Sequence, residues 1–252
     1  MDGVSGFVNN CRRSSFFRRS KLPFALLVLQ EAPGVPLSPF TGTDLICFRG
    51  GRPVFAGLNF TVSPGEALML RGPNGSGKSS LLRLMAGLSR PLQGTIAWNG
   101  ETIADDPEAH NARLHYIGHA DPVKPVLTVA ENLRFWSSLR ANFGNGEDAI
   151  ASALGKLGII HLADVPGRFL SAGQKRRVNL ARILAAPAAI WLLDEPHTAL
   201  DRTAVENLDT AIAEHRADGG MVVISSHATD SLKHAREIDL SQFRDTFQAT
   251  AS

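Results

Sequence analysis

Gly72-Pro73-Asn74-Gly75-Ser76-Gly77-Lys78-Ser79 matches G-x-x-x-x-G-K-[ST], a loop whose chemistry is to hold phosphates. An apolar run, Ala67-Leu68-Met69-Leu70, precedes it, and a helix-like one, Ser80-Leu81-Leu82-Arg83-Leu84-Met85-Ala86, follows. Glycine lets the backbone turn tightly enough for successive N–H groups to face anionic oxygens, and the following helix adds the positive end of its dipole. Lys78 is placed to reach the β- and γ-phosphates, and Ser79 to offer its hydroxyl to Mg²⁺. Gly72, Pro73, Asn74, Gly75, Ser76, Gly77, Lys78, Ser79 and Ser80 are therefore the expected nucleotide-binding segment. At average composition such a match arises by chance in roughly one chain in a hundred of this length. A nucleotide is the expected ligand.

Further segments follow in order. Leu170-Ser171-Ala172-Gly173-Gln174 leads into a basic, helix-patterned stretch, Lys175 to Arg182. Ile190-Trp191-Leu192-Leu193 is an apolar run of buried-strand type that ends in Asp194-Glu195. Thr198-Ala199-Leu200-Asp201 comes next, and a second buried-strand run, Met221 to Ile224, ends in Ser225-Ser226-His227. A carboxylate at a strand's end suits a hard cation, so Asp194 with Ser79 is the expected Mg²⁺ pair. Glu195, pointing elsewhere, is the candidate general base for the attacking water.

Together these segments resemble the ATP-binding cassette (ABC) ATPase family, matching its Walker A, signature, Walker B, D-loop and switch-histidine elements over about residues 43 to 240. The resemblance implies an α/β P-loop NTPase core with a mixed sheet, a small antiparallel β subdomain and a helical subdomain at about 125–180 that carries the signature. It implies hydrolysis of Mg·ATP, with Glu195, His227 and Lys78 catalytic. It also implies that Ser171, Gly173 and Gln174 contact the nucleotide of an opposite subunit, so that two chains pair head to tail. Membrane permease subunits would be separate polypeptides. Within the family, His115-Tyr116-Ile117-Gly118-His119-Ala120-Asp121, Leu127 to Leu133, Leu193 to Asp201 and Arg49-Gly50-Gly51-Arg52 are similar to the haem-exporter ATPases of cytochrome c biogenesis. That similarity implies a peripheral protein on the cytoplasmic face of the inner membrane that powers haem export or release without binding haem itself. The other readings are an ATPase for another substrate's transporter, and a soluble cassette protein acting on nucleic acid. The latter usually has two cassettes or a long insertion, and neither is seen here.

Some positions depart from the family pattern. His119 stands where a glutamine is usual, with Asp121 the other polar candidate, and adenine stacking falls to Phe48 or Arg49. His197 replaces an expected aromatic. The remaining histidines show no metal-ligand spacing and read as surface or packing residues.

Composition agrees with this reading. At 252 residues and 44% hydrophobic, the chain can bury a full α/β core. A net charge of +2 gives no strong pull toward nucleic acid. Cys11 and Cys47 build no disulfide framework, which suggests a reducing compartment. No stretch approaches the roughly 20 apolar residues of a membrane span. Residues 1–40, rich in arginine and with a short apolar run at Phe24 to Leu29, are expected to be a disordered extension or the result of a mis-set start. A transit peptide is the alternative. The cassette is expected over 41–245, with 246–252 as a tail. Thr128-Val129-Ala130-Glu131 predicts a capping box opening a helix to about Arg140, and Glu147 to Leu157 a second helix. Leu133, Phe135, Trp136 and Leu139 are expected to pack that helix.

Overall fold

The computed structural model describes residues 39–139, 146–226, 232 and 234–244. The expected N-terminal extension up to residue 38, His227 and the 246–252 tail lie outside them.

Two sheets divide the parallel from the antiparallel pairing. β1 (Phe40–Arg49), β2 (Arg52–Val62), β4 (Gln93–Trp98) and β5 (Glu101–Thr102) form an antiparallel sheet in the order β2-β1-β4-β5. Its hairpins follow from turn chemistry. Gly50 and Gly51 take φ 56° and 76° between β1 and β2, and Asn99 and Gly100 take 55° and 79° between β4 and β5. Two positive φ values in succession are what a two-residue hairpin with the right-handed strand twist requires. Gly94, in β4, has a different reason: a Cβ there would lie 2.4 Å from the Thr43 and Asp44 carbonyl oxygens.

The second sheet is parallel, in the order β6-β7-β8-β3-β9. It comprises β3 (Ala67–Arg71), β6 (Leu114–Ile117), β7 (Ile190–Asp194), β8 (Met221–Ser225) and β9 (Arg236–Asp239). Every residue of β7 and β8 is buried, which is why these strands read as unbroken apolar runs rather than alternating ones. Alternation reappears in what the side chains touch. Ala67, Met69, Trp191, Leu193, Val222 and Ile224 belong to one core. Their neighbours Leu68, Leu70, Ile190, Leu192, Met221 and Val223 belong to the other. The second core is completed by α1 (Lys78–Met85) and the inner face of the antiparallel sheet, through Phe40, Phe55 and Leu58.

The first core is closed by α3 (Val129–Ser138), α4 (Gly146–Lys156), α5 (Ala172–Ala185) and α6 (Arg202–Ala217). Between the layers runs a short helix, α2 (Pro107–Arg113), capped by Asp106. The predicted Thr128/Glu131 capping box is present at the start of α3. Leu133 is fully buried, whereas Leu139 is 64% exposed and contributes no packing of the kind expected. Each fully buried Leu, Ile or Val contributes roughly 1.5–3 kcal/mol. The sheet is therefore a rigid platform whose strand ends can be used for chemistry.

Candidate functional site

The neighbouring strands β6, β7, β8 and β3 run the same way, so the loops at their C-terminal ends share one edge. Residues 72–79 follow β3, 118–121 follow β6, 194–195 end β7 and Ser225 ends β8.

The loop after β3 bends through glycine. Gly72, Gly75 and Gly77 have φ 125°, 76° and 109°, values that side-chain-bearing residues rarely adopt. A Cβ on Gly77 would sit 2.6 Å from Val54 Cγ1 and 3.0 Å from Phe55 Cδ1, so β2 packs directly on the loop. Gly77 is the N-cap of α1 without a side-chain cap, leaving Lys78, Ser79 and Ser80 in the first turn with N–H groups that have no helical acceptor. Lys78 is buried, and its Nζ donates to the Gly72 and Pro73 carbonyls at 2.7 and 3.2 Å. Burial draws this ammonium below its ordinary range, and Glu195, Asp194 and Asp239 partly oppose the shift. Ser76 Oγ is buried with no hydrogen-bond partner among the described residues. Arg244 Nη2 donates to Gly75 O at 3.0 Å. Pro73, Asn74 and Gly75 are exposed at the tip.

The carboxylate side of the edge is assembled from separate strands. Asp194 is 2% exposed and its Oδ1 accepts from Ser225 Oγ at 2.7 Å. The same hydroxyl accepts from the Glu195 N–H at 3.0 Å. Glu195 itself is left-handed, φ 46°. Its Oε2 lies 3.9 Å from His119 Nε2, on an imidazole that is 67% exposed. Asp121, the other polar candidate of that loop, is instead bonded to α5, accepting from Arg176 Nη1 at 3.2 Å and Asn179 Nδ2 at 2.9 Å.

Ser171 and Gln174 form a reciprocal capping box at the start of α5, Ser171 N–H to Gln174 Oε1 at 2.8 Å and Gln174 N–H to Ser171 Oγ at 3.3 Å. Gly173 stands against Ala199, where a Cβ would approach the carbonyl oxygen to 2.8 Å. The hydrogen bonds described for Ser171 run to Gln174 and to the Lys175 N–H, both on α5. Arg177 pairs with Asp201, which also caps α6 through Ala204 N–H.

Sequence reasoning missed three members of this edge: Ser225, Asp239 and Arg176. Arg176 and Asn179 are buried on a helix whose apolar stripe should fill that face, and such polar intrusions were the available signal. The capping box S-x-x-Q was likewise legible at Ser171. Of the other described histidines, His110 and His115 are buried and bond the Met85 and Ala186 carbonyls, each at 2.8 Å, whereas His161 and His234 are exposed. His197 meets Asp209 at 2.8 Å, which accounts for the missing aromatic there. Phe48 is 46% exposed at the end of β1, beside Arg49.

Comparison with known proteins converges on one family. Residues 55–198 match the family model described as ABC transporter. The chain is 58% identical over 207 residues, covering 82% of itself and 95% of its relative, to the cytochrome c biogenesis ATP-binding export protein CcmA of Paramagnetospirillum magneticum. It is 53% identical to the protein of the same name in Rhodospirillum rubrum, covering 86% and 93% of the two chains. Among solved structures, an ABC transporter ATP-binding protein from Pyrococcus furiosus superposes with a TM-score of 0.71 at 26% identity, over 82% of this chain and all of that one. A bacterial Atm1-family ABC exporter with ATP bound shares the fold at TM-score 0.71 and 24% identity, over 84% of this chain and 39% of its own. With a nucleotide loop, a carboxylate pair and a signature helix arranged on one fold, the chain belongs to the ABC transporter ATPases, in the CcmA branch of that family.

Proposed function

We propose that this chain is the ATP-hydrolysing subunit of a cytochrome c biogenesis transporter, and that the coupled step is haem export or release of haem to its acceptor. The observation that carries the chemistry is the placing of Lys78 within the electrostatic reach of Asp194 and Glu195 on one sheet edge. The likeness to cytochrome c biogenesis export proteins carries the biological assignment.

In this reading the first-turn N–H groups of Lys78, Ser79 and Ser80 and the Lys78 ammonium bind the β- and γ-phosphates, the ammonium exchanging loop carbonyls for phosphate oxygens. Mg²⁺ fits the donors present: Ser79 Oγ and the Asp194 carboxylate are hard oxygens. Among the described residues no cage of three or more His, Cys, Asp or Glu exists. That suits an ion held by one or two side chains plus phosphates. When bound, the ion would neutralise charge developing on the phosphates. Glu195 takes a proton from the attacking water, and His119 faces that carboxylate, filling the position of the usual glutamine, while Asp121 is spoken for by α5. His227 remains the proposed γ-phosphate donor. Phe48, exposed beside the turn, is the proposed adenine platform.

Ser171, Gly173 and Gln174 complete the site on the nucleotide of a second copy. Their capping box fixes the start of α5, whose helix dipole places its positive end toward that nucleotide. Among the described residues no helix is long and apolar enough to cross a membrane. Separate integral membrane subunits would form the pathway, this chain would sit peripherally on the cytoplasmic face of the inner membrane, and haem would not touch it.

The test is a gene deletion scored by covalent haem staining of c-type cytochromes. Complementation by the parent gene but not by Glu195→Gln is expected. In the purified complex, Glu195→Gln should lower ATP turnover about a hundredfold or more while retaining ATP and accumulating dimers. Normal c-type cytochromes in the deletion strain would assign another cargo, and parental turnover by Glu195→Gln would remove the base role.

A further inference from the structure

Arg176 lies in the second turn of α5 and is 3% exposed, yet its guanidinium meets two loops that are far apart in sequence. Nη1 donates to Gly118 O at 2.9 Å and Asp121 Oδ1 at 3.2 Å. Nη2 donates to Asp194 O at 2.9 Å and Glu195 O at 2.8 Å, and Nε reaches Pro196 O at 3.4 Å. The carbonyls of three successive residues thus converge on one planar fork. They belong to the turn where β7 has ended and the backbone goes left-handed at Glu195, φ 46°. Off the strand and buried, such carbonyls need acceptor-matched donors from elsewhere. A guanidinium carries five donors in fixed geometry and can serve several acceptors at once, which a lysine ammonium on a flexible stem cannot do equally well.

The other end of the clamp is also anchored. Asp121 accepts a second bond from Asn179, whose Oδ1 takes Arg182 Nη1 at 2.8 Å. Residues 176, 179 and 182 share one helix face, and the Arg182 guanidinium lies 3.9 Å over the Trp136 ring of α3. The 118–121 loop, α5 and the Glu195 turn are therefore one hydrogen-bonded unit.

We propose that Arg176 is a positioning residue for ATP hydrolysis: by clamping the carbonyls of residues 194–196 to Gly118 and Asp121, it sets where the Glu195 carboxylate stands relative to the 118–121 loop. The inference rests on the reading of Glu195 as the base. It also assigns Asp121 to holding Arg176 rather than to a metal.

The experiment compares the parent, Arg176→Met, Arg176→Lys, Asp121→Ala and the double variant Arg176→Met/Asp121→Ala, in full-length protein assembled with its membrane subunits. Turnover, KM for ATP and thermal unfolding are measured. Displacing a catalytic group by a fraction of an ångström to one ångström costs about ten- to a hundredfold in rate. Arg176→Met should lower kcat by about that factor with KM within about threefold of the parent, and Arg176→Lys should recover part of the loss. Asp121→Ala should add little on top of Arg176→Met, because the two act as a unit. A kcat for Arg176→Met within about twofold of the parent overturns the proposal, as do independent, multiplying effects of the two substitutions. Loss of folding or of ATP binding in both Arg176 variants also overturns it, leaving a structural role alone. An inactive parent, or an active Glu195→Gln, would instead remove the underlying assignment of the site.

Discussion

Two loops on the same sheet edge meet the left-handed backbone region in different ways. After β3, the phosphate loop uses glycine at each such position, Gly72, Gly75 and Gly77. After β7, the chain places Glu195 and then Ala199 there, at φ 46° and 64°. A residue with a Cβ in this region costs on the order of 1–2 kcal/mol. The difference follows from what each loop must present. In the proposed function phosphates are gripped by main-chain amides, so that loop needs no side chain at its bends. The proposed base needs a carboxylate at the bend itself, so glycine is unavailable and the strain must be opposed from outside. Ser225 on the Glu195 N–H and Arg176 on the Glu195 carbonyl supply that opposition. One loop is conformationally self-sufficient; the other is held by its neighbours.

The largest effect should come from Lys78→Ala, which removes the one ammonium of the glycine-built loop. Turnover should fall by about two orders of magnitude or more, with a matching loss of ATP binding in a fluorescent-nucleotide titration. Retained ATP binding would mean that amides alone suffice, sharpening the contrast further.

Acid should weaken the fold through a buried histidine packed on β7. His215 stacks on Trp191 of β7 with ring centroids 3.9 Å apart and planes 2° apart. Burial pulls its pKa from the ordinary 6.5 to about 4, with a weaker opposing pull from the Met221 backbone. Between those values the unfolded chain takes up a proton that the folded one refuses, so stability falls as pH drops from about 6.5 to about 4. The loss is roughly 1.4 kcal/mol per unit, on the order of 3 kcal/mol across the window. His215→Phe should flatten that slope in denaturant melts run at pH 4.5 and 7. An unchanged slope would place the acid sensitivity elsewhere.

Gly77→Ala and Glu195→Gly test the comparison directly, because they should have opposite signs. Alanine at 77 meets both a forbidding φ and Val54, and should destabilise by about 1–3 kcal/mol. Glycine at 195 relieves strain, and should leave stability unchanged or raise it by up to about 1 kcal/mol while abolishing turnover. A destabilised Glu195→Gly would show that the clamp has removed the strain entirely. The smallest effect should be Asp201→Ala, losing the α6 cap for about 1 kcal/mol in a thermal melt. Its exposed pair with Arg177 adds little.

These same contrasts explain what was readable. The loop after β3 was legible as a glycine-built turn, because its glycines bend the backbone where they stand in the chain and Lys78 bonds carbonyls of the same loop. The Asn99-Gly100 turn and the Thr128/Glu131 box were legible for the same reason. Leu139 was not: helical spacing suggested packing, but among the described residues it lies exposed just past the end of α3. Nor could spacing choose between His119 and Asp121, since the choice depends on which of them α5 occupies.

From the sequence alone come the phosphate loop, the Asp194-Glu195 pair at a strand end, the signature segment and hence the family, since each is set by neighbours within a few residues. Tertiary structure alone decided that Arg176, Asn179, Asp121, Ser225 and Asp239 belong to the same edge. Parallel strand order brings distant loops together, and a hydrogen bond depends on distance in space, which no spacing along the chain encodes.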